Sequence, residues 1–172
     1  MTGTDLVVRF GASKFGREVD VLVARATGHS LVNALFSRAY GAPYNKPLVL
    51  TTTGRRTGRA RSVVLPFFAA GEGAGADPAL ARFPLAIVGS RGGTRVDPQW
   101  AHNLRATPEA TVHIDRRAHR VRVHEATGDE RERLWRDICA RAPVYAEYQR
   151  RAKTRTIPVF VLSPAGDGAA RA

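Results

Sequence analysis

The residues best suited to chemistry lie between Thr51 and Leu65, in the stretch TTTGRRTGRARSVVL. A run of strand formers ends at Gly54 and another begins at Ser62. Between them sit four arginines, Arg55, Arg56, Arg59 and Arg61, and a second glycine, Gly58. Glycines let a backbone turn sharply and expose its N–H groups. Guanidinium groups bind phosphate or carboxylate oxygens through paired hydrogen bonds. The loop is therefore composed as an anion holder. The same composition also suits a solvated basic hairpin tip, because turns are polar and exposed charges contribute little. The net charge of +12 favours an anionic partner, whether a phosphorylated ligand, a nucleic acid or an anionic membrane surface.

Other chemical signatures are weaker. Gly71 to Ala76 formally matches the GxGxxA dinucleotide fingerprint, but Pro78 and Pro84 interrupt any helix that would follow it. Gly54 and Gly58 are one residue too close for a P-loop, and no Gly-Lys-Ser/Thr follows. His113, His119 and His124 lack a tight ligand spacing and read as exposed strand histidines, so no metal is expected. No Ser-His-Asp arrangement is legible. The single cysteine, Cys139, precludes an intrachain disulfide and points to a reducing, cytoplasmic location. It falls on the apolar face of a helix, where an inert core role is expected. Charges punctuate the N-terminus, so no signal peptide is read there, and no apolar run reaches the length of a membrane span.

The elements that must position the basic loop follow from periodicity and punctuation. The 172 residues suffice for one domain with a sizeable core. Residues 5–27 form one or two short helices. Ser30 caps a helix with Leu31, Val32, Leu35 and Phe36 on its apolar face, ended by Gly41 and Pro43. Strands are expected at 48–53, at 62–69 with Pro66 marking an edge, bulge or barrel rim, and at 85–89. Asp97 caps a short helix with Pro98 in its first turn. Thr111–Ile114 and His119–Val123 form a hairpin around Asp115-Arg116-Arg117. Thr127 and Glu130 make a capping box for a helix burying Leu134, Trp135, Ile138 and Cys139. A short helix carries Tyr145 and Tyr148, a last strand spans 157–162, and 166–172 is a disordered tail. Few helices lie between consecutive strands, which argues against a doubly wound sheet and for an antiparallel sheet or small barrel.

Three stretches occur in order: LVLTTTGRRTGRARSVVLPF, IVGSRGGTRVDPQWAHNLRATPEATV and PVYAEYQRRAKTRTIPVFVL. Together they resemble the deazaflavin-dependent nitroreductase family of actinobacteria, over roughly residues 45–164. The resemblance implies a mainly β fold with flanking helices (α+β), a split β-barrel related to the flavin-nucleotide oxidases. The expected organisation is one domain over 1–172: a helical N-terminal segment 1–45, the barrel with inserted helices over 46–164, and a tail 165–172. It implies coenzyme F420, an 8-hydroxy-5-deazaflavin with a phosphate and an oligoglutamate tail. It also implies hydride transfer from the reduced coenzyme to quinones, nitroaromatics or activated enones.

Carried over residue by residue, the resemblance assigns Arg55, Arg56 and Thr57 to the coenzyme's phosphate and tail, with Arg61 opening the next strand. Ser62, Val63, Val64, Leu65 and Pro66 match the strand that lines the ring. Val88, Gly89, Ser90 and Arg91 match the turn beside it, with Arg91 towards the tail. Gln99, Trp100, Ala101, His102 and Asn103 match the short helix that faces the coenzyme. Tyr145 and Tyr148 close the substrate side. Tyr145 also borders the coenzyme, and Ser90 joins the two tyrosines as a residue of the reacting face. Three departures bear on the substrate: Ala142 where a further tyrosine is common, Ala101 where a tyrosine often follows the tryptophan, and a longer Gly71–Pro84 loop.

The implied partner is a small-molecule electron acceptor, with no nucleic acid and with peripheral contact to the inner membrane face conceivable through the basic N-terminus. Monomer and homodimer both remain open. Two other classes of function also stay open at this point. One is a basic nucleic-acid-binding module, although basic residues are spread over the whole chain with no aromatic-basic reading motif. The other is a non-catalytic carrier of deazaflavin or FMN.

Overall fold

The computed structural model describes residues 13–40, 46–71 and 83–165. The Gly71–Ala76 fingerprint beyond its first glycine, most of the Gly71–Pro84 loop, the helical reading over 5–12, the Gly41 and Pro43 stop and the expected tail at 166–172 lie outside the described residues. Two helices come first, α1 (Lys14–Thr27) and α2 (Leu31–Tyr40). Ser13 caps α1 by accepting from the Gly16 N–H at 2.9 Å, and Ser30 caps α2 by accepting from the Asn33 N–H at 2.9 Å. Ser30 also donates to the carboxylate of Asp20, which in turn accepts from the Val32 N–H at 3.1 Å. Asp20 is buried, and these bonds at the start of α2 offset its desolvation.

Seven strands follow: β1 (Leu48–Thr53), β2 (Ala60–Leu65), β3 (Phe68–Ala69), β4 (Leu85–Val88), β5 (Glu109–Ile114), β6 (Arg117–Glu125) and β7 (Val159–Pro164). They pair antiparallel in the order β2-β1-β5-β6-β7-β4-β3. The strand expected over 62–69 is thus two strands, at opposite edges of one sheet. Only Pro66 and Phe67 separate them, so the sheet must curl until its edges approach each other. Pro66 has no N–H for a ladder and suits that corner. The result is a half-barrel with flanking helices, as the antiparallel reading anticipated.

Helices α3 (Gln99–Ala106), α4 (Gly128–Arg141) and α5 (Val144–Ala152) are inserted between the later strands, and a short 3₁₀ turn spans Arg91–Gly93. One core fills the concave face: Leu48 and Leu50 of β1, Val112, Val121 and Phe160 meet Trp100, Ala101 and Leu104 of α3. A second core lies on the other face, where Val88, Val159 and Val161 meet Leu134, Ile138 and Tyr145 of α4 and α5. β4 and the first part of β7 are covered on both faces, so both read as unbroken apolar runs rather than alternating ones.

Three local expectations change. Asp97 does not cap α3: Pro98 holds the cap position without a side-chain bond, and Asp97 instead binds Arg105 and Arg155, each at 2.6 Å. Thr127 and Glu130 form no capping box: the Thr127 side chain caps nothing, and Glu130 pairs with His124 at 3.0 Å. In both places a side chain brought close by folding, Arg105 and Arg155 at Asp97 and His124 at Glu130, takes the carboxylate in place of the backbone N–H. The hairpin turn is Asp115-Arg116 alone, both at positive φ, and Arg117 already pairs with Ile114. The last strand begins at Val159 and runs to Pro164.

Among the described glycines, Gly93 leaves the least room for a side chain. A Cβ there would lie 2.6 Å from the Tyr148 carbonyl oxygen and 2.9 Å from the Arg151 Cβ, whereas nothing lies within 4 Å of one at Gly92. Both glycines have positive φ, +66° and +79° for Gly92 and Gly93. Gly92→Ala is therefore expected to cost about 1–2 kcal/mol for its left-handed backbone. Gly93→Ala adds an overpacking cost of about 1–3 kcal/mol. Chemical denaturation of the two variants measures that difference directly.

Candidate functional site

The basic loop joins β1 to β2 and folds on itself. Gly54 donates to the Arg59 carbonyl at 2.9 Å, and its own carbonyl accepts from Thr57 and Gly58 at 3.0 and 2.8 Å. The side chains of Arg55, Arg56, Arg59 and Arg61 all project into solvent. None of these arginines forms an ion pair among the described residues.

Helix α3 holds this loop in place. Gln99 and Asn103 are four residues apart and share one face of the helix. The Gln99 side-chain oxygen accepts from Arg55 Nη1 at 2.9 Å. Asn103, 5 % exposed, accepts from the Arg55 N–H at 3.2 Å and donates to Thr52 Oγ1 at 3.0 Å. Its amide therefore spans from the strand to the loop and satisfies polar groups that burial would otherwise leave unpaired.

A groove of about 960 Å³ opens beside the loop. Arg55, Arg56, Thr57 and Arg61 form its basic end, and Val63, Val64 and Trp100 supply apolar wall. The opposite wall comes from α1 and α2, chiefly Val21, Leu22, Val32 and Asn33, with Arg17, Glu18 and Asp20 alongside. Arg25 latches α1 across the strands, donating from Nη2 to Thr51 Oγ1 at 2.9 Å and to Ser62 Oγ at 2.8 Å. Near it the imidazole of His113 is held below its ordinary value, first by burial and then by the Arg25 charge. The sequence gives no signal for the helical wall. An amphipathic N-terminal helix shows that it packs, and only the Arg25 contacts show on what.

The structure brings Arg55, Arg56, Thr57, Arg61, Ser62, Val63, Val64, Gln99, Trp100 and Asn103 together around this groove. Leu65 ends β2 beyond it, and Pro66 is the corner that follows. Ala101 points into the core and His102 is half-buried outside the lining. Val88 ends β4 in the second core, and Gly89, Ser90 and Arg91 lie past it, in the turn that packs on α5. Tyr145 is 6 % exposed in the second core, edge-on to Phe68 at 5.6 Å and to Tyr148 at 5.8 Å. Burial pushes its phenol well above the ordinary value, with Tyr148 adding to the effect. Tyr145, Tyr148 and the Ser90 turn thus form a second cluster, apart from the groove's lining. Cys139 is half-buried with its thiol pushed up by burial, the environment of an inert side chain. Among the described residues, no three His, Cys, Asp or Glu side chains converge as a metal site, and no helix is long and apolar enough to cross a membrane.

Comparison with known proteins agrees with this geometry. The family model described as F420H(2)-dependent quinone reductase matches residues 23–164. The F420H(2)-dependent quinone reductase of Mycobacterium tuberculosis (strain H37Rv) is 31% identical over 129 residues, covering 73% of this chain and 77% of the relative. A solved F420-H2 dependent reductase, FDR-A, superposes with a TM-score of 0.55 at 31% identity, over 68% of this chain and 93% of its own. Another solved structure, described as a domain-swapped dimer, gives a TM-score of 0.56 at 27% identity, over 94% of this chain and all of that one. The residues present fit the coenzyme such proteins use. Uncompensated guanidinium groups suit a phosphate and a carboxylate tail, and Val63, Val64 and Trp100 offer apolar surface to a flat ring.

Asn103→Ala is expected to lower stability by about 1–3 kcal/mol, because it strands a buried hydroxyl and frees the Arg55 amide. A denaturant titration measures that loss, and faster hydrogen exchange at the Arg55 N–H locates it.

Proposed function

Since the chain belongs to the F420H(2)-dependent quinone reductase family, whose members are oxidoreductases using coenzyme F420, we propose that it transfers a hydride from reduced F420 to a quinone in the groove beside the β1–β2 loop. The observation that carries this reading is the polarity of the groove, with unpaired arginines at one end and Val63, Val64 and Trp100 along its length. Arg55, Arg56 and Arg61 bind the coenzyme's phosphate and glutamyl tail. Gln99 holds the Arg55 guanidinium partly oriented before the anion arrives, which reduces the ordering cost of binding. Asn103 fixes the loop from which that guanidinium projects.

When bound, reduced F420 supplies the hydride, and the quinone gains a proton besides to become a hydroquinone. The protein's share is orientation and electrostatics, which is why no triad of acid, base and nucleophile is required. The apolar wall keeps water from the ring face. Ser90 and Tyr148, outside the groove's lining, are assigned to the far end of the acceptor, and its single added proton comes from solvent or from the Tyr148 hydroxyl. The phenol of Tyr145, held un-ionised by burial, packs that side and supports its neighbour. Nitroaromatics and activated enones are further acceptors of the same chemistry. A cytoplasmic location fits the single cysteine, and the protein works as a monomer or as a homodimer.

Titration of the purified protein with F420, FMN and FAD tests the coenzyme assignment, followed by oxidation of reduced F420 with menadione. F420 is expected to bind much better than either flavin. Each charge-assisted contact contributes about 1.5–3 kcal/mol. Arg55→Ala or Arg61→Ala should therefore weaken F420 about ten- to a hundredfold, and much less for a precursor lacking the phosphate and tail. Equal or tighter FMN binding would falsify the assignment. Unaltered F420 affinity in the arginine variants would reduce the loop to a solvated turn.

A further inference from the structure

Arg155 lies outside the groove, in the segment that leads from α5 into β7. Its side chain is only 12% exposed, yet it touches no groove-lining residue by any hydrogen bond. Four of its N–H bonds have partners, and three of those partners are backbone carbonyls of a single turn. Nε donates to the Thr94 carbonyl at 2.9 Å. Nη2 donates to the Ser90 carbonyl at 2.9 Å, and Nη1 to the Gly89 carbonyl at 3.2 Å. Nη1 also meets Asp97 Oδ1 at 2.6 Å, so the charge is balanced by a carboxylate. Carbonyls from Gly89 to Thr94 converge on one guanidinium, and Arg91, Gly92 and Gly93 between them all have positive φ. Such a backbone persists only where its surroundings hold it.

The segment carrying Arg155 is itself fastened to α5. Gln149 donates from Nε2 to the Arg155 carbonyl at 2.7 Å and accepts the Ile157 N–H at 2.9 Å. On its far side the turn returns to the same helix, since Gly93 sits against the Tyr148 carbonyl and the Arg151 Cβ. These contacts close a ring: α5, the 155–157 segment, the Arg155 guanidinium, the 89–94 turn, and α5 again.

The structure assigns Arg155 as a positioning residue that locks the Ser90–Arg91 turn to the Tyr145–Tyr148 helix, so that the two move as one unit. This deepens the proposed function and rests on it for its catalytic meaning, because Ser90 and Tyr148 are the groups it places on the acceptor side. Its geometry requires arginine. A planar fork reaches three carbonyls and a carboxylate at once, and a lysine ammonium, with its three donors at one point, cannot.

The test compares wild type with Arg155→Lys, which keeps the charge and loses the fork, and with Gln149→Leu, which cuts the ring elsewhere. Two readouts are taken: backbone hydrogen exchange without coenzyme, and steady-state kinetics with reduced F420 and menadione. Arg155→Lys should raise exchange both in residues 89–94 and in the first turns of α5, leaving β1, β2 and β5 unchanged. It should lower kcat about tenfold or more, as misplacement of reacting groups does, with a smaller change in the Kd for F420. Gln149→Leu should show the same pattern, and the double variant should add little to either. Unchanged exchange in either segment, an even rise across the whole sheet, or a wild-type kcat in Arg155→Lys overturns the assignment. If wild type itself binds no F420, the functional reading falls instead, and exchange alone decides whether Arg155 joins turn and helix.

Discussion

Two residues, Pro66 and Phe67, connect opposite edges of a seven-stranded sheet, and the rest of the structure depends on that short span. A flat sheet would hold β2 and β3 apart with five strands between them, so the sheet must curl. Curling makes a concave face that has to be filled, and α3 fills it with Trp100, Ala101 and Leu104. Seating α3 there brings its polar face, Gln99 and Asn103, against the β1–β2 loop. The basic loop therefore owes its shape to hydrophobic burial two steps removed from it.

The charge of the chain has two uses. Arg105 spans Asp97 and Glu125, Arg155 shares Asp97, and Arg150 and Arg151 share Glu147. Those cations are committed to structure, and three carboxylates offset most of their charge locally. Among the described residues the loop arginines form no ion pair, so their field reaches solvent and is available to an anion. Total charge alone cannot separate the two kinds.

What was readable in the sequence divides along physical lines. The capped α2, the β5–β6 hairpin and the apolar strands carry local signals, and each appears close to where periodicity placed it. The loop arginines were legible because glycine punctuation and charge coincide in fifteen residues. Asp97 and Glu130 were misread as caps because a cap is inferred from sequence neighbours, while their actual partners, Arg155 and His124, arrive through folding. The groove wall from α1 and α2 was invisible for the same reason: Arg25 finds Thr51 and Ser62 only in three dimensions. Tyr145 and Tyr148 share a helical face as their spacing requires, but spacing could not tell that the face turns towards Phe68 and the second core.

Among the described residues the half-barrel has two unpaired strand edges, β2 and β3, and both are poor templates for another chain. β3 is only two residues long. β2 begins with Ala60, Arg61 and Ser62, all exposed, next to the arginine-laden loop. A second copy approaching that edge would bring like charges together before any ladder could form, which is how edge strands are kept from stacking into fibres. The arginines offered to an anion thus also act as gatekeepers against self-association. Once an anion neutralises them, that protection rests on the ligand's own bulk and charge.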